Sequence, residues 1–218
     1  MKRALLPLLA ASLLLTACGV APGAKQPTAS VSGVTCAYRT TNAPAKVVDP
    51  PNGTGVPATG TEAVTLTFAS GVVQITLDRA AAPCTANSFE SLAQQGFFTD
   101  TTCHRMSTAG YYFLQCGDPT GTGSGGPGYW FDDELAQTTT YTKGVVAMAN
   151  SGRNTNGSQF FIVYADSPFP PNYTIFGHTD DAGVAVIAAM AAKGTDGSES
   201  ATAGHPKADT KITAVAVG

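Results

Sequence analysis

Apolar and polar residues alternate over 65–68 and again over 72–77, on either side of Ser70-Gly71. Period-two alternation turns one face of a strand into a core, and a Ser-Gly pair reverses the chain at little steric cost, so the pattern predicts a hairpin. The period then changes. Over 82–93, Phe89, Leu92 and Ala93 fall on one helical face, with Pro83 suited to a first turn and Gly96 to a stop, which predicts a helix. Extended pieces follow at Phe97-Phe98, at 102–106 and in the aromatic run 111–118. Residues 145–149 and 159–162 predict two strands side by side around a polar turn, where Ser151-Gly152 and Asn156-Gly157 favour reversal. A short strand at 173–177, a second helix over 184–190 ending near Gly194, a polar loop at 197–207 and a closing strand at 211–217 complete the order.

The start of the chain has a different pattern. Lys2-Arg3, an apolar run over 4–15 and Thr16-Ala17-Cys18 read as an export leader, too short to span a bilayer as a stable helix. Leu15-Thr16-Ala17-Cys18 resembles the bacterial lipobox, which implies a leader over 1–17 and lipid on Cys18. An ordinary leader with a stray cysteine is the alternative. Residues 18–61 are rich in Pro, Gly, Ala and Thr with few large apolar side chains, so they are expected to be a flexible linker, interrupted at Cys36-Ala37-Tyr38, a candidate point for pinning it to the domain. Residues 62–218 then suit one domain with one core. The expected location is outside the cytoplasm, lipid-anchored on the outer face of the cytoplasmic membrane or the periplasmic side of an envelope membrane.

Charge and cysteines narrow the partners. The 12 Lys and Arg, two of them in the leader, face 15 Asp and Glu without a basic cluster, which argues against nucleic acid. Besides Cys18, the four cysteines Cys36, Cys84, Cys103 and Cys116 suggest two disulfides in an exported chain; of the three possible pairings, Cys84 with Cys103 and Cys36 with Cys116 is favoured. No metal is expected at them. Residues 121–126 contain G-x-G-x-x-G, yet Pro127-Gly128 follows where a helix would have to open, so a mobile loop is predicted. Asp132-Asp133-Glu134 reads as a solvated turn or strand end, and His104, His178 and His205 lack ligand spacing. No nucleophile signature is present, so any activity is expected to run without metal, cofactor or covalent chemistry.

Candidate chemistry gathers at neutral amides among aromatics. Asn150 closes one strand and Gln159 opens the next, with Phe160-Phe161 behind them, a combination suited to reading a peptide backbone beside an apolar wall. Arg105 lies between apolar neighbours, and Arg105, Tyr112, Phe113 and Gln115 are expected to share one face. The structural alternatives are a plain hairpin and a solvated arginine.

Phe97-Phe98, Cys103-His104-Arg105, Leu114-Gln115-Cys116-Gly117-Asp118, Met148-Ala149-Asn150, the run 154–162 and Phe176-Gly177 resemble, in order, the cyclophilins, which are peptidyl-prolyl cis-trans isomerases. The likeness runs over about 64–217. It implies a mainly β fold, a closed eight-stranded antiparallel β-barrel capped by two α-helices, and binding of proline-containing unfolded or flexible polypeptides in an outer groove. By motif, Arg105 would be catalytic and oriented by Gln115. Tyr112, Phe113, Phe161 and Phe169 would wall the pocket with Tyr173 at its rim, while Ala149, Asn150 and Gln159 would hold the peptide backbone. Pro168 stands where eukaryotic members commonly have Trp, so only weak cyclosporin binding is expected. Phe169, Tyr173, Tyr112 and Phe113 replace the usual Leu, His, Phe and Met, and the segment from Arg105 to Tyr112 is two residues longer than usual. The resulting expectation is a monomeric isomerase for exported proteins. A non-catalytic proline-peptide-binding chaperone and an adhesive surface lipoprotein are the competing classes.

Overall fold

The computed structural model describes residues 33–41, 44–136 and 139–218, so the leader expected over 1–17 and the lipid expected on Cys18 lie outside the described residues. The predicted first hairpin is β2 (Thr61–Phe68) and β3 (Gly71–Asp78), preceded by a two-residue strand β1 (Arg39–Thr40). It is in register from Thr61↔Asp78 to Phe68↔Gly71, and Val64, Leu66, Phe68, Val73, Ile75 and Leu77 all point inward and are buried. Helix α1 (Pro83–Gln94) follows, then β4 (Thr101–Thr102), β5 (Arg105–Ala109), β6 (Tyr111–Cys116) and β7 (Tyr129–Trp130). The chain closes with β8 (Val145–Met148), β9 (Phe160–Val163), β10 (Ile175–Thr179), α2 (Asp181–Ala191), β11 (Ala203–Gly204) and β12 (Lys211–Val217).

The expected closed ring of eight strands is replaced by one ten-stranded antiparallel sheet ordered β11-β5-β6-β9-β8-β10-β3-β2-β12-β4. Its order has two ends, β11 and β4. The reason is an interruption at Cys103-His104: β4 pairs with β12, β5 pairs with β6, and between them Cys103 leaves the ladder, its N–H donating to the Thr210 carbonyl at 3.2 Å. The sheet curls around a core in which Phe89 meets Phe98, Phe160 and Phe176 at centroid distances of 4.9, 5.0 and 5.0 Å.

Both helices cover this core, and a carboxylate helps start each, a distant one for α1 and the adjacent cap residue for α2. Pro83 opens α1, whose N-cap residue Ala82 offers no side-chain bond. Instead Glu134 accepts from the Cys84 N–H (3.0 Å), the Thr85 N–H (2.8 Å) and the Thr85 hydroxyl (2.7 Å), an anion at the positive end of the helix. The acidic run is therefore structural rather than only solvated: Asp132 pairs with Arg39, and Asp133 accepts from Asn156 Nδ2 at 2.9 Å. Asp180 caps α2 by accepting from the Gly183 N–H at 2.8 Å.

Two expectations need correction. The described part of the supposed linker, 33–41 and 44–60, is seated on the domain rather than free of it. There β1 pairs with β7, Val34 bridges Val56, and Tyr38 lies 5.6 Å from Tyr129 and 5.7 Å from Phe131 while its hydroxyl donates to the Cys84 carbonyl at 2.7 Å. Lys46 Nζ donates to the Gly96 carbonyl at 2.5 Å, just past the C-terminus of α1. A segment poor in large apolar residues can still be ordered when one aromatic fills a slot and a crosslink restricts it. The crosslink is Cys36–Cys84, and the second is Cys103–Cys116, not the pairing favoured from sequence. Cys84 stands in the first turn of α1, where Cys36 reaches it, while Cys103 and Cys116 are neighbours beside the Arg105↔Gln115 register of β5 and β6.

Candidate functional site

Alternation along β5, β6 and β9 decides which side chains face away from the core. With Arg105 opposite Gln115 and Ser107 opposite Phe113, those residues share an outward face, and Phe161 joins them opposite Gln115. Phe169 and Tyr173 come from the loop before β10. Together Arg105, Phe113, Gln115, Ala149, Asn150, Phe161, Phe169 and Tyr173 line one cavity of about 120 Å³. That is small beside the roughly 300–1,000 Å³ of sites for drug-sized ligands, and it suits a compact apolar ring. Its walls are aromatic, with Phe161 5.1 Å from Phe169, 5.4 Å from Tyr173 and 6.0 Å from Phe113.

Tyr141, which the sequence reading missed, stands behind this wall. Its hydroxyl donates to the Tyr173 carbonyl at 2.8 Å and accepts from the Tyr173 N–H at 2.9 Å, closing the loop onto the pocket. Phe113, Tyr141, Val145, Ala147, Phe161 and Val163 form an apolar cluster separate from the main core.

Arg105 is held on three sides. Its guanidinium lies 5.0 Å from the centre of the Phe113 ring, Nη1 donates to Gln115 Oε1 at 3.3 Å, and Nε donates to both Glu199 carboxylate oxygens at 2.9 and 2.7 Å. Gln115 is oriented in turn, since its Nε2 donates to Gln159 Oε1 at 2.9 Å, and Gln159 Nε2 donates to the carbonyls of Gly123 (2.9 Å) and Gly125 (3.0 Å). This relay ends in the glycine-rich loop. That loop, expected to be mobile, is organised by buried Asp118, which accepts from the Thr120 N–H (2.7 Å), the Thr120 hydroxyl (2.7 Å) and the Gly123 N–H (2.7 Å). Burial pushes the Asp118 carboxyl upward, but these bonds outweigh it and hold it below its ordinary value.

Two expected pocket residues sit elsewhere. Tyr112 alternates to the opposite face of β6, where its ring lies 5.8 Å from that of Tyr164, while Tyr111 packs on Phe169 at 4.7 Å. The longer hairpin turning at Gly110, with Ala109 opposite Tyr111, sets this parity. Gln159 borders a neighbouring cavity of about 330 Å³ with the 123–127 loop and half-exposed Trp130, its amide already engaged by protein groups. Asn150 lines both cavities. Its Nδ2 donates to the Asn172 carbonyl at 2.9 Å and its Oδ1 accepts from the Gly152 N–H at 3.2 Å.

His104 is buried next to Arg105, and neither ring nitrogen has a hydrogen-bond partner among the described residues. Burial lowers its pKa, His205 and Arg105 push the same way, and Asp118 and Glu199 oppose them. The unfolded chain therefore takes up this proton first, near the ordinary pH of about 6.5. Stability is expected to be level above neutrality and to fall as pH drops through that value. Urea midpoints at pH 7.5, 6.5 and 5.5 measure it, and His104→Gln should flatten the slope.

Comparison with known proteins adds the following. A family model described as cyclophilin type peptidyl-prolyl cis-trans isomerase/CLD matches residues 63–217. The probable peptidyl-prolyl cis-trans isomerase B of Mycobacterium leprae is 44% identical over 177 residues, 74% of this chain and 60% of that protein. Its namesake in Mycobacterium tuberculosis is 44% identical over 165 residues, 70% of this chain and 53% of that protein. The chain thus spans little more than half the length of these relatives. A crystal structure of a Cryptosporidium parvum cyclophilin type peptidyl-prolyl cis-trans isomerase superposes with a TM-score of 0.65 at 30% identity, covering 73% of this chain and 98% of the other. A second structure of that protein, in the presence of the dipeptide Ala-Pro, gives 0.63 at 31% identity, covering 72% and 98%.

Proposed function

Because the chain belongs to the cyclophilin-type peptidyl-prolyl cis-trans isomerases, we propose that it accelerates rotation about X-Pro bonds in exported polypeptides, with Arg105 as the catalytic residue. The observation that carries this reading is a guanidinium fixed at the rim of a small aromatic pocket with donors to spare. Of its five N–H groups, only those on Nε and one on Nη1 are engaged among the described residues. The Ala-Pro dipeptide of the Cryptosporidium structure supports an X-Pro ligand for this pocket.

Rotation about an amide faces a barrier of about 18–20 kcal/mol because it breaks resonance, and an X-Pro bond takes tens of seconds or longer unaided. In the twisted state the lone pair localises on the prolyl nitrogen. A hydrogen bond from Arg105 Nη to that nitrogen forms only once resonance is lost, so it favours the transition state over the ground state. Phe113, Phe161 and Phe169 would hold the ring while the other side of the bond turns. Asn150, whose side chain is occupied by Asn172 and Gly152, would hold the peptide through its main chain. Lipid on Cys18 would keep this monomeric catalyst at the outer face of the membrane. Binding of cyclosporin would be weak, since Pro168 provides no indole.

A protease-coupled assay on an Ala-Pro peptide tests the reading. The mature chain is expected to accelerate isomerisation, whereas affinity without acceleration would assign the site to a binding module. Phe161→Ala removes a pocket wall and is expected to lower kcat/KM about 10- to 100-fold, the equivalent of one buried aromatic contact. Tyr112→Ala, on the far face, should leave kcat/KM near the parent value.

A further inference from the structure

We infer that Glu199 is a positioning residue for Arg105, gripping the guanidinium at Nε so that its Nη groups face the pocket. The inference rests on the isomerase reading of that pocket. Arg105 is a long side chain, about two-fifths exposed, that would otherwise sample many rotamers. The guanidinium is planar, so fixing one edge fixes the direction of the other. Both carboxylate oxygens of Glu199 accept from Nε, and Phe113 supports the plane from one side. A carboxylate across the Nη edge would compete with the prolyl nitrogen, but on Nε it leaves those donors available.

The loop that carries Glu199 is built to hold it there. Strand β11 extends the sheet beyond β5, pairing Ala203 with Ser107 and Gly204 with Met106. The Glu199 N–H donates to the Ala203 carbonyl at 3.1 Å, and the Thr108 N–H to the Thr202 carbonyl at 2.9 Å. Asp196 accepts from the Ser198 N–H (3.0 Å), the Ser198 hydroxyl (2.7 Å) and the His205 N–H (2.8 Å). Gly204, at φ 151°, packs so closely on Asp196 and Ser198 that any side chain there would collide. A half-exposed ion pair adds little to stability, so the contribution argued for the pair is the direction it gives Arg105.

The test compares the mature chain with Glu199→Ala, Glu199→Gln, Asp196→Ala and Arg105→Ala, using an Ala-Pro peptide and separating kcat from KM. Glu199→Ala is expected to lower kcat about tenfold with KM within about twofold, as for a catalytic group set slightly out of place. Glu199→Gln keeps one acceptor and should fall between. Asp196→Ala, which leaves both members of the pair but frees the loop that carries Glu199, should shift kcat in the same direction. Independently of turnover, the Arg105 Nε–H resonance should be protected from exchange in the parent and lose protection in Glu199→Ala. Unchanged or faster turnover in Glu199→Ala beside an inactive Arg105→Ala overturns the inference, as does an effect confined to KM. If the parent is no faster than Arg105→Ala, the isomerase reading fails, and the Nε–H comparison alone then decides whether Glu199 holds Arg105.

Discussion

Arg105→Ala is expected to lower kcat/KM for a proline peptide about 100- to 1,000-fold, the loss typical of one donor aimed at transition-state charge. Most of the loss should fall in kcat, because the aromatic walls that bind the ring remain. Thermal stability should hardly change, since the arginine is part-exposed and its ion pair weak. Arg105→Lys is not expected to restore the rate. An ammonium could keep one contact to Glu199 or Gln115, but it lacks the planar fork that faces Glu199 with one edge and the ligand with the other. The same assay with both variants, read beside melting curves, checks all of this, and an active Arg105→Ala would remove the arginine from the mechanism.

Cys36→Ser with Cys84→Ser is expected to destabilise the domain by about 4 kcal/mol, the loop-closure value for a crosslink spanning 48 residues. For a domain of this size that lowers Tm by about 10 °C. More than chain entropy is involved. Release of Cys36 loosens Tyr38 from the slot beside Tyr129 and Phe131 and weakens the pairing of β1 with β7. Calorimetry on the double variant measures the effect. An unchanged Tm would mean that the noncovalent contacts of 33–60 hold it without the crosslink.

The β2–β3 hairpin was legible because one face is wholly buried, so a slip by one residue would expose Val64, Leu66 and Ile75 together. The pocket was legible for a different reason. Arg105, Phe113, Gln115, Ala149, Asn150, Phe161, Phe169 and Tyr173 were named from motifs, and they do line one cavity. Tyr112 was misplaced because the motif grouped it with its neighbour Phe113, whereas alternation along β6 puts adjacent residues on opposite faces and leaves Phe113 and Gln115 on the pocket side. Glu199 was invisible: 94 residues separate it from Arg105, and in sequence it is one acid in a polar loop. Cysteine connectivity failed likewise, since spacing does not reveal that Cys84 opens a helix beside Cys36. The supposed linker misled only in part: Cys36-Ala37-Tyr38 stood out as a place to pin it, and the structure pins it there, but composition did not register that the rest of 33–60 follows.

The seating of residues 33–60 also bears on how far the groove can stand from a bilayer. On the lipid-anchored reading, only 19–32 separate Cys18 from the docked segment, and fully extended they span at most about 50 Å. A free segment from 19 to 61 would have reached about 150 Å. On that reading the shorter leash would confine the pocket to polypeptides close to the membrane surface, where a newly emerged chain would still have its prolines accessible.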